Sequence, residues 1–349
     1  MSGKEERILL GNEGEVMDAV SERHSPPSRR ASAMKSLLAR LRGTFWHWAP
    51  VYASCGHIFN FFETMSGYKY EKAMFLKYVG YELDLTNPKS LNQKIVWKKL
   101  FDRNPLLPPT SDKYLVREYV EKALGPEADK ILVPLLYVGD DPRQIPFDTL
   151  PAEYVVKTNH DSGGTILVRT GENVDRQKMI VRLTKWQKIP YGIFKHEWAY
   201  WSIRRKVIVE ALLREKNGGI AQDYKFHVFH GTCKFIHATP KMDGERSGRR
   251  SLFTPDWRQL DAGWKYPKGP YISPPPRLSD MIRISEKLAA PFDYVRVDLF
   301  NPDDRIFFGE LTHYHGSGRE PFFPESFDFE GGSFWNIAPN YWIGKTLGS

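Results

Sequence analysis

Tyr294-Val-Arg-Val-Asp-Leu-Phe300, Asn301-Pro-Asp-Asp304 and Arg305-Ile-Phe-Phe-Gly-Glu-Leu311 follow one another without a break. The outer runs are rich in β-branched, aromatic and aliphatic residues, and the middle run is turn chemistry, so the stretch predicts an antiparallel hairpin. Side chains alternate along a strand, which puts Arg296 and Asp298 on one face, and the hairpin returns Glu310 beside them. Two carboxylates then converge next to an arginine. Carboxylate oxygens suit a hard divalent cation such as Mg²⁺, which leaves its remaining positions to water or phosphate. A cross-strand ion pair on a solvated face accounts for the same residues. Against it, Asp298 stands among Val295, Val297, Leu299 and Phe300, where an unpaired carboxylate is costly.

Working outward, the hairpin is one of several. Glu153 to Thr158 and Thr165 to Arg169 are strands around the loop Asn159-His-Asp-Ser-Gly-Gly164. Tyr224 to Phe229 and Cys233 to Ala238 turn at His230-Gly231, and Ile131 to Tyr137 and Val207 to Leu213 are further strands. Helices are expected from about residue 60 through Glu71 to Val79, and from the capping box Ser90-Leu-Asn-Gln93 to Phe101. Others run from Asp112 to about Gly125, near 175–186, around 195–204, and from Ser279 to about Ala290. The helix from Asp112 carries Leu115, Val116, Tyr119, Val120 and Ala123 on one face, and Asn104 to Pro109 reads as a turn-rich linker. The alternation makes the fold α+β with mostly antiparallel sheets.

The composition narrows the function classes. In 349 residues, 41% hydrophobic, there is enough apolar material for a real core and none of the bias of a disordered or collagen-like chain. No apolar run reaches the ~18 residues of a spanning helix. The N-terminus lacks the basic and apolar regions of a signal peptide, so a cytoplasmic protein is expected. Cys55 and Cys233 form no CxxC, which suggests neither a disulfide framework nor a structural zinc site. The net charge of +8 is unevenly spread: residues 1–22 hold two basic and six acidic residues, and residues 23–43 hold six basic and no acidic ones. Met34, Leu37, Leu38 and Leu41 recur at helical spacing with Phe45, Trp46 and Trp48 following. This segment either lies on anionic lipid as an amphipathic helix at 34–42, with peripheral contact through 34–48 at an inner membrane, or docks on the protein's own core. No RRM, zinc-finger or helix-turn-helix pattern accompanies the basic residues, and nucleic acid is not expected. The domain reading is a largely disordered leader at 1–45, a helical region at 46–110, a catalytic unit at 111–335 and a tail at 336–349.

Three more constellations bear on chemistry. Lys157 ends a strand just before the loop of Asn159, His160, Ser162, Gly163 and Gly164, whose glycines let backbone N–H groups turn toward an anion; a plain turn explains the glycines equally. Glu210 on one strand, with Asp223 and Lys225 opening another, is placed to meet ribose or adenine or to face solvent. Lys113 opens the helix at Asp112. The histidines His160, His313 and His315 stand near these groups and could serve as bases.

Taken in order, these pieces resemble the TupA-like (teichuronopeptide-biosynthesis-like) branch of the ATP-grasp superfamily. The resemblance covers about residues 75–335. It rests on Tyr81-Glu-Leu-Asp-Leu-Thr-Asn-Pro-Lys-Ser-Leu-Asn-Gln-Lys-Ile-Val-Trp97, Ser111-Asp-Lys-Tyr-Leu-Val-Arg117, Tyr154-Val-Val-Lys-Thr-Asn-His160, Asp223-Tyr-Lys-Phe226, Val295-Arg-Val-Asp-Leu299 and Gly309-Glu-Leu-Thr312. It implies two α+β subdomains clasping ATP between antiparallel sheets. Lys113 and Lys157 would meet the phosphates, the 159–165 loop would cover them, and Glu210 with Asp223 would meet the nucleoside. Asp298, Glu310 and Thr312 would hold Mg²⁺, and Arg296 would steady the transferred phosphoryl group. Two positions depart from the superfamily or branch pattern: Thr312 stands where many ATP-grasp ligases have Asn, and Asp161 where the branch usually has Gly.

The activity so implied is ADP-forming ligation in bacterial polysaccharide biosynthesis, in which a carboxylate is activated as an acyl phosphate and an amine forms the amide. The resemblance suggests a uronic-acid or other carboxylated glycan as acceptor and an amino acid as amine, with Arg246, Arg249 and Arg250 able to receive the acid. Two other readings stand beside it: a sugar kinase or transferase on the same scaffold, and a non-catalytic nucleotide- or glycan-binding partner of a polysaccharide complex.

Overall fold

The computed structural model describes residues 49–337 except 240, 243–244 and 247–248. The leader at 1–45, the 34–42 helix, the 34–48 membrane contact, the tail beyond 337 and the Arg246 side chain lie outside the described residues. The chain forms two units, Met1–Pro50 and Val51–Ser349, and the second holds all the described elements apart from the first two residues of a helix that begins at Ala49.

Helices α1 (Ala49–Met65), α2 (Lys69–Val79), α3 (Leu91–Phe101), α4 (Leu107–Ser111), α5 (Val116–Leu124) and α6 (Ala128–Ile131) precede the first strand. The expected capping box starts α3: Gln93 N donates to Ser90 Oγ at 3.1 Å and Ser90 N to Gln93 Oε1 at 3.1 Å. The helix expected from residue 60 is instead two. The chain turns at Tyr68, with φ 61°, and the Glu63 carboxylate accepts from the N–H groups of Tyr70 and Glu71, satisfying the start of α2. The expected linker at 104–109 contains the start of α4, because Pro108 and Pro109 fall in a first helical turn where no N–H is needed. The helix expected from Asp112 begins at Val116: Asp112 accepts from Tyr114 N and Leu115 N in a turn, and Leu115 is exposed.

Two sheets follow, and every ladder in them is antiparallel. The first has the order β1-β4-β2-β3, with β1 (Leu135–Gly139), β2 (Tyr154–Thr158), β3 (Thr165–Val168) and β4 (Val207–Ala211). One of its faces packs Val156, Val168, Val207 and Val209 on Met179 and Leu183 of α7 (Arg176–Lys188). Ile131, expected in β1, ends α6. The helix expected around 195–204 is two short 3₁₀ turns, because Gly192 and His196 both take left-handed backbone conformations that an α-helix cannot continue through.

The second sheet has the order β12-β11-β5-β6-β9, from β5 (Asp223–Phe229), β6 (Thr232–Ala238), β9 (Ser251–Phe253), β11 (Tyr294–Phe300) and β12 (Phe307–Thr312). Minor ribbons pair β7 (Lys241–Met242) with β8 (Glu245–Arg246) and β10 (Gly263–Trp264) with β13 (Phe322–Phe323). Phe226, Val228, Ile236, Val295, Val297 and Leu299 form a core with Met281, Ile284 and Leu288 of α8 (Leu278–Ala289). Leu91, Ile95 and Leu107 belong to that same core.

Buried charge ties the helical region to the second sheet. Lys99 is wholly buried and donates to Glu71 Oε1 at 2.9 Å and to Ser317 O and Oγ, just beyond β12. Arg319 also meets Glu71, at 2.5 and 3.0 Å. Lys98 bridges Asp102 at 2.9 Å and Asp293, the residue before β11, at 3.1 Å. Asp328, at 2.6 Å from both Tyr81 Oη and Asn92 Nδ2, fixes α9 (Ser326–Ser333) to the start of α3.

Burial alone would raise the Glu71 carboxyl, yet Lys99 and Arg319 outweigh it and hold the group at about 2, below its ordinary 4.5. Because the folded value is depressed, this stabilisation is complete above pH 4.5 and disappears as pH falls through about 2. Glu71→Gln leaves two buried cations without their counter-charge and is expected to cost about 3–5 kcal/mol at neutral pH. Urea titrations from pH 2 to 7 should show that penalty and a flatter dependence on pH than the parent chain.

Candidate functional site

Each large sheet keeps one face for its helix and carries polar residues on the other. In the second sheet the polar side chains form rows across neighbouring strands. Lys225, Asp298 and Glu310 are register partners on β5, β11 and β12, and the adjacent row is His227, Arg296 and Thr312. The alternation expected for Arg296 and Asp298 therefore holds, and the hairpin sets Glu310 directly opposite Asp298.

Arg296 organises this patch. Its Nε and Nη2 donate to the two Asp298 oxygens, each at 2.7 Å, and Nη2 also reaches Glu310 Oε1 at 3.2 Å and Thr312 Oγ1 at 2.9 Å. Thr312 donates in turn to Glu310 Oε1 at 2.9 Å, so its hydroxyl orients the glutamate. Lys225 pairs with Asp223 and lies 3.7 Å from Asp298. Burial pushes the Asp298 carboxyl up, against the pull of Arg296 and Lys225. Burial acts on Glu310 in the same sense, but Lys113 and Arg296 prevail and hold it below the ordinary range. Glu310 is also the most open of the three, at 38% exposure against 12% for Arg296 and 8% for Asp298.

These donors fit a magnesium ion shared with a phosphate. Asp298 and Glu310 face each other and offer hard oxygens, and such an ion takes only one or two protein carboxylates when phosphate and water complete its shell. Among the described residues no three His, Cys, Asp or Glu side chains converge into a cage made by protein alone.

The first sheet contributes a second charged group. Lys157 Nζ lies 2.7 Å from Glu210 Oε2, between β2 and β4, and Arg117 approaches the same carboxylate at 4.0 Å. Glu210 is thus held by two cations in this structure. Sequence reasoning missed Arg117 as a partner of this acid; its motif is legible, but its Nη1 is held by Val133 O at 2.9 Å, a long-range contact that local pattern does not reveal.

Lys113 joins the two groups. Its N–H donates to Asn159 O at 3.0 Å, its Nζ donates to the Asp161 carbonyl, and its charge acts on Glu310. The turn of the loop carries Ser162 and Gly163 exposed, with Gly163 at φ 90°. Asp161 also lies against Lys113, with Oδ1 3.8 Å from Nζ, and its carboxylate fills the space a Cβ at Gly164 would need. The acid that departs from the branch pattern is therefore turned onto a lysine.

Asn159 and His160, expected among the nucleotide contacts, give their side chains to the scaffold. Asn159 accepts from Lys206 N at 2.6 Å and donates to Arg204 O at 3.0 Å, locking the hairpin to the start of β4. His160 is buried, with Nε2 donating to Ile189 O at 3.1 Å, and burial pushes it down to about 4. His313 is likewise committed, 2.8 Å from Thr110 Oγ1.

His315 belongs to a buried group that the sequence left hidden. Tyr294 Oη lies 2.9 Å from His227 Nδ1 and 2.8 Å from His315 Nδ1. Burial keeps both rings well below their ordinary pKa, so both are neutral. One hydroxyl proton serves one of these nitrogens, and the other ring must donate its own Nδ1–H, which couples the two tautomers. His227 also stacks on Phe235 at 4.1 Å, beside the Arg296 row. Arg250, expected as able to receive the acid, is 2.6 Å from Glu320 and covers Trp264 at 4.9 Å; Arg249 is exposed.

A family model described as TupA-like ATPgrasp matches residues 93–335. No curated protein matches the sequence. Among solved structures, D-alanine–D-alanine ligase from Bacillus anthracis is similar, at 15% identity over 58% of this chain and 57% of that one, with a TM-score of 0.37. The corresponding ligase from Helicobacter pylori shows 13% identity over 72% and 70%, with a TM-score of 0.38. N5-carboxyaminoimidazole synthetase from Staphylococcus aureus, complexed with ADP, shows 13% over 58% and 43%, with a TM-score of 0.32. The chain thus spans little more than half of the Bacillus ligase and less than half of the synthetase. Both large sheets and the helices packed on them lie inside the family match, and the chain belongs to the TupA-like ATP-grasp family.

Proposed function

We propose that this chain is an ADP-forming carboxylate–amine ligase using Mg-ATP. The observation that carries the reading is the Arg296 guanidinium held against Asp298, Glu310 and Thr312, with Lys113, in the turn before α5, acting on the same glutamate. Phosphoryl transfer needs little covalent help from a protein and much fixed charge, which this patch supplies.

In the proposed reaction a substrate carboxylate oxygen attacks the γ-phosphorus of ATP, and the bond to the β-phosphate oxygen breaks with its electron pair leaving on ADP. An amine then attacks the acyl carbon, the C–O bond to phosphate breaks, and phosphate departs with that pair while the amine loses a proton. Lys157 from the first sheet and Lys113 from the turn before α5 oppose phosphate charge. Asp298 and Glu310 would hold Mg²⁺, which neutralises phosphate oxygens when bound. Thr312 orients Glu310, and Arg296 faces the transferred group. Glu210, Asp223 and Lys225 border the nucleoside side, and Ser162, Gly163 and Gly164 form the cover. The acceptor we favour is a carboxylated glycan precursor of a bacterial polysaccharide, and the amine an amino acid; this part rests on the family resemblance.

ADP release with carboxylated sugars and amino acids tests the activity. Free phosphate with an amide product supports ligation, whereas phosphate retained on the sugar selects a kinase, and ATP binding without turnover selects a binding protein. Asp298→Asn and Glu310→Gln should each lower kcat by about 10²–10³-fold. Full activity in both would remove the metal assignment. Asp161→Gly keeps the carbonyl that Lys113 bonds but removes the carboxylate beside it, and should tighten ATP binding roughly two- to fivefold, as read by calorimetry at low salt; weaker binding would show that Asp161 helps hold the nucleotide.

A further inference from the structure

The outward face of α1 has no place in this chemistry. Ile58, Phe61, Phe62 and Met65 are 56%, 62%, 64% and 72% exposed, at spacings of three, four and seven residues that align them along one side of the helix. The opposite side is already occupied. Gly56 lies so close to Ile193 that an added Cβ would sit 2.5 Å from it, and Asn60 donates to Gly56 O and Ile193 O. Tyr52 and Phe59 meet Phe194 at 4.9 and 5.5 Å. The exposed stripe is therefore what remains after α1 has packed on its own protein.

Within α1 and α2 the exposed charges have one sign. Glu63 is the single acidic residue of α1 and Glu71 the single acidic residue of α2, and both are buried in hydrogen bonds or ion pairs. Lys69, Lys72 and Lys77 of α2 are all exposed. The sequence just before α1 holds six basic and no acidic residues at 23–43, then Phe45, Trp46 and Trp48. Aromatic and aliphatic side chains on one helix, followed by a helix whose exposed charges are all lysines, match an interface that is apolar below and anionic above.

We propose that the exposed face of α1 docks on an anionic lipid bilayer, with Ile58, Phe61, Phe62 and Met65 entering the headgroup boundary and the lysines of α2 meeting lipid phosphate. The two other occupants of such a stripe are a second copy of the chain and the basic segment at 23–43. Each would bring positive charge toward Lys69, Lys72 and Lys77, whereas anionic lipid brings the opposite sign. Docking would be peripheral: among the described residues no helix is long and apolar enough to cross a membrane.

The full chain should sediment with phosphatidylcholine vesicles containing 30% phosphatidylglycerol, release on raising salt, and ignore phosphatidylcholine alone. Phe61→Ser with Phe62→Ser should lower the bound fraction at least tenfold while the melting temperature stays within a few degrees, since both side chains are exposed. Cys55 is exposed and three residues before Ile58, so an environment-sensitive dye on it reports the same face. Its emission should shift to the blue on anionic vesicles. Unchanged sedimentation of the double variant, or no dye shift on binding, overturns the proposal in favour of the N-terminal segment acting alone. A dimer in size-exclusion chromatography that the double variant dissolves overturns it in favour of self-association. None of these outcomes depends on ATP turnover, so the ligase reading stands or falls separately.

Discussion

Charge removed from water must be met by opposite charge or by hydrogen bonds, and that constraint shapes this protein more than any single apolar contact. The two buried lysines among the described residues, Lys98 and Lys99, are each met by an acid from a separate stretch of chain. Glu71 joins Lys99 and Arg319 across more than two hundred residues, and Lys98 reaches Asp102 and Asp293. Those pairs fix the helical region to both ends of the β11–β12 hairpin, so the strands that carry Arg296, Asp298 and Glu310 are held at their entry and exit.

The same rule is used differently at the site. A structural ion pair is closed, with each partner spent on the other. Arg296 and Asp298 are close to that limit, but Glu310 stays partly open and Thr312 holds only one of its oxygens. Glu310 is therefore the least committed acid of the patch. Lys113 adds a positive charge from the turn before α5, where its N–H is bonded to Asn159 of the loop between β2 and β3.

Both departures from the superfamily or branch pattern have a local account. Thr312 does less as a ligand than an amide would, and it serves as the bond that orients Glu310. Asp161 looks like a charge in the wrong place when read as a letter in a phosphate loop. In the fold it lies against Lys113 and over Gly164, where the absence of a Cβ makes room for it.

The sequence by itself determined the α+β class, the capping box of α3, the two central hairpins and the strand faces of Arg296, Asp298 and Glu310. These depend on period-two alternation, caps and turns, which act over a few residues and can be read locally. It also determined the family, because six motifs stand in a fixed order. The break between α1 and α2, the helical start at Pro108 and the 3₁₀ turns near 195 were decided by Glu63, by proline in a first turn and by left-handed residues at 192 and 196. The tertiary structure alone decided that Asn159 and His160 serve the scaffold, that Arg117 shares Glu210 with Lys157, and that Tyr294 links two histidines. The same holds for the exposed stripe of α1: the apolar spacing of Ile58, Phe61, Phe62 and Met65 is in the sequence, but which side of a helix stays open depends on what packs against the other. Local pattern fixes the direction of a side chain relative to its own strand or helix, and only the folded chain fixes what lies there to meet it.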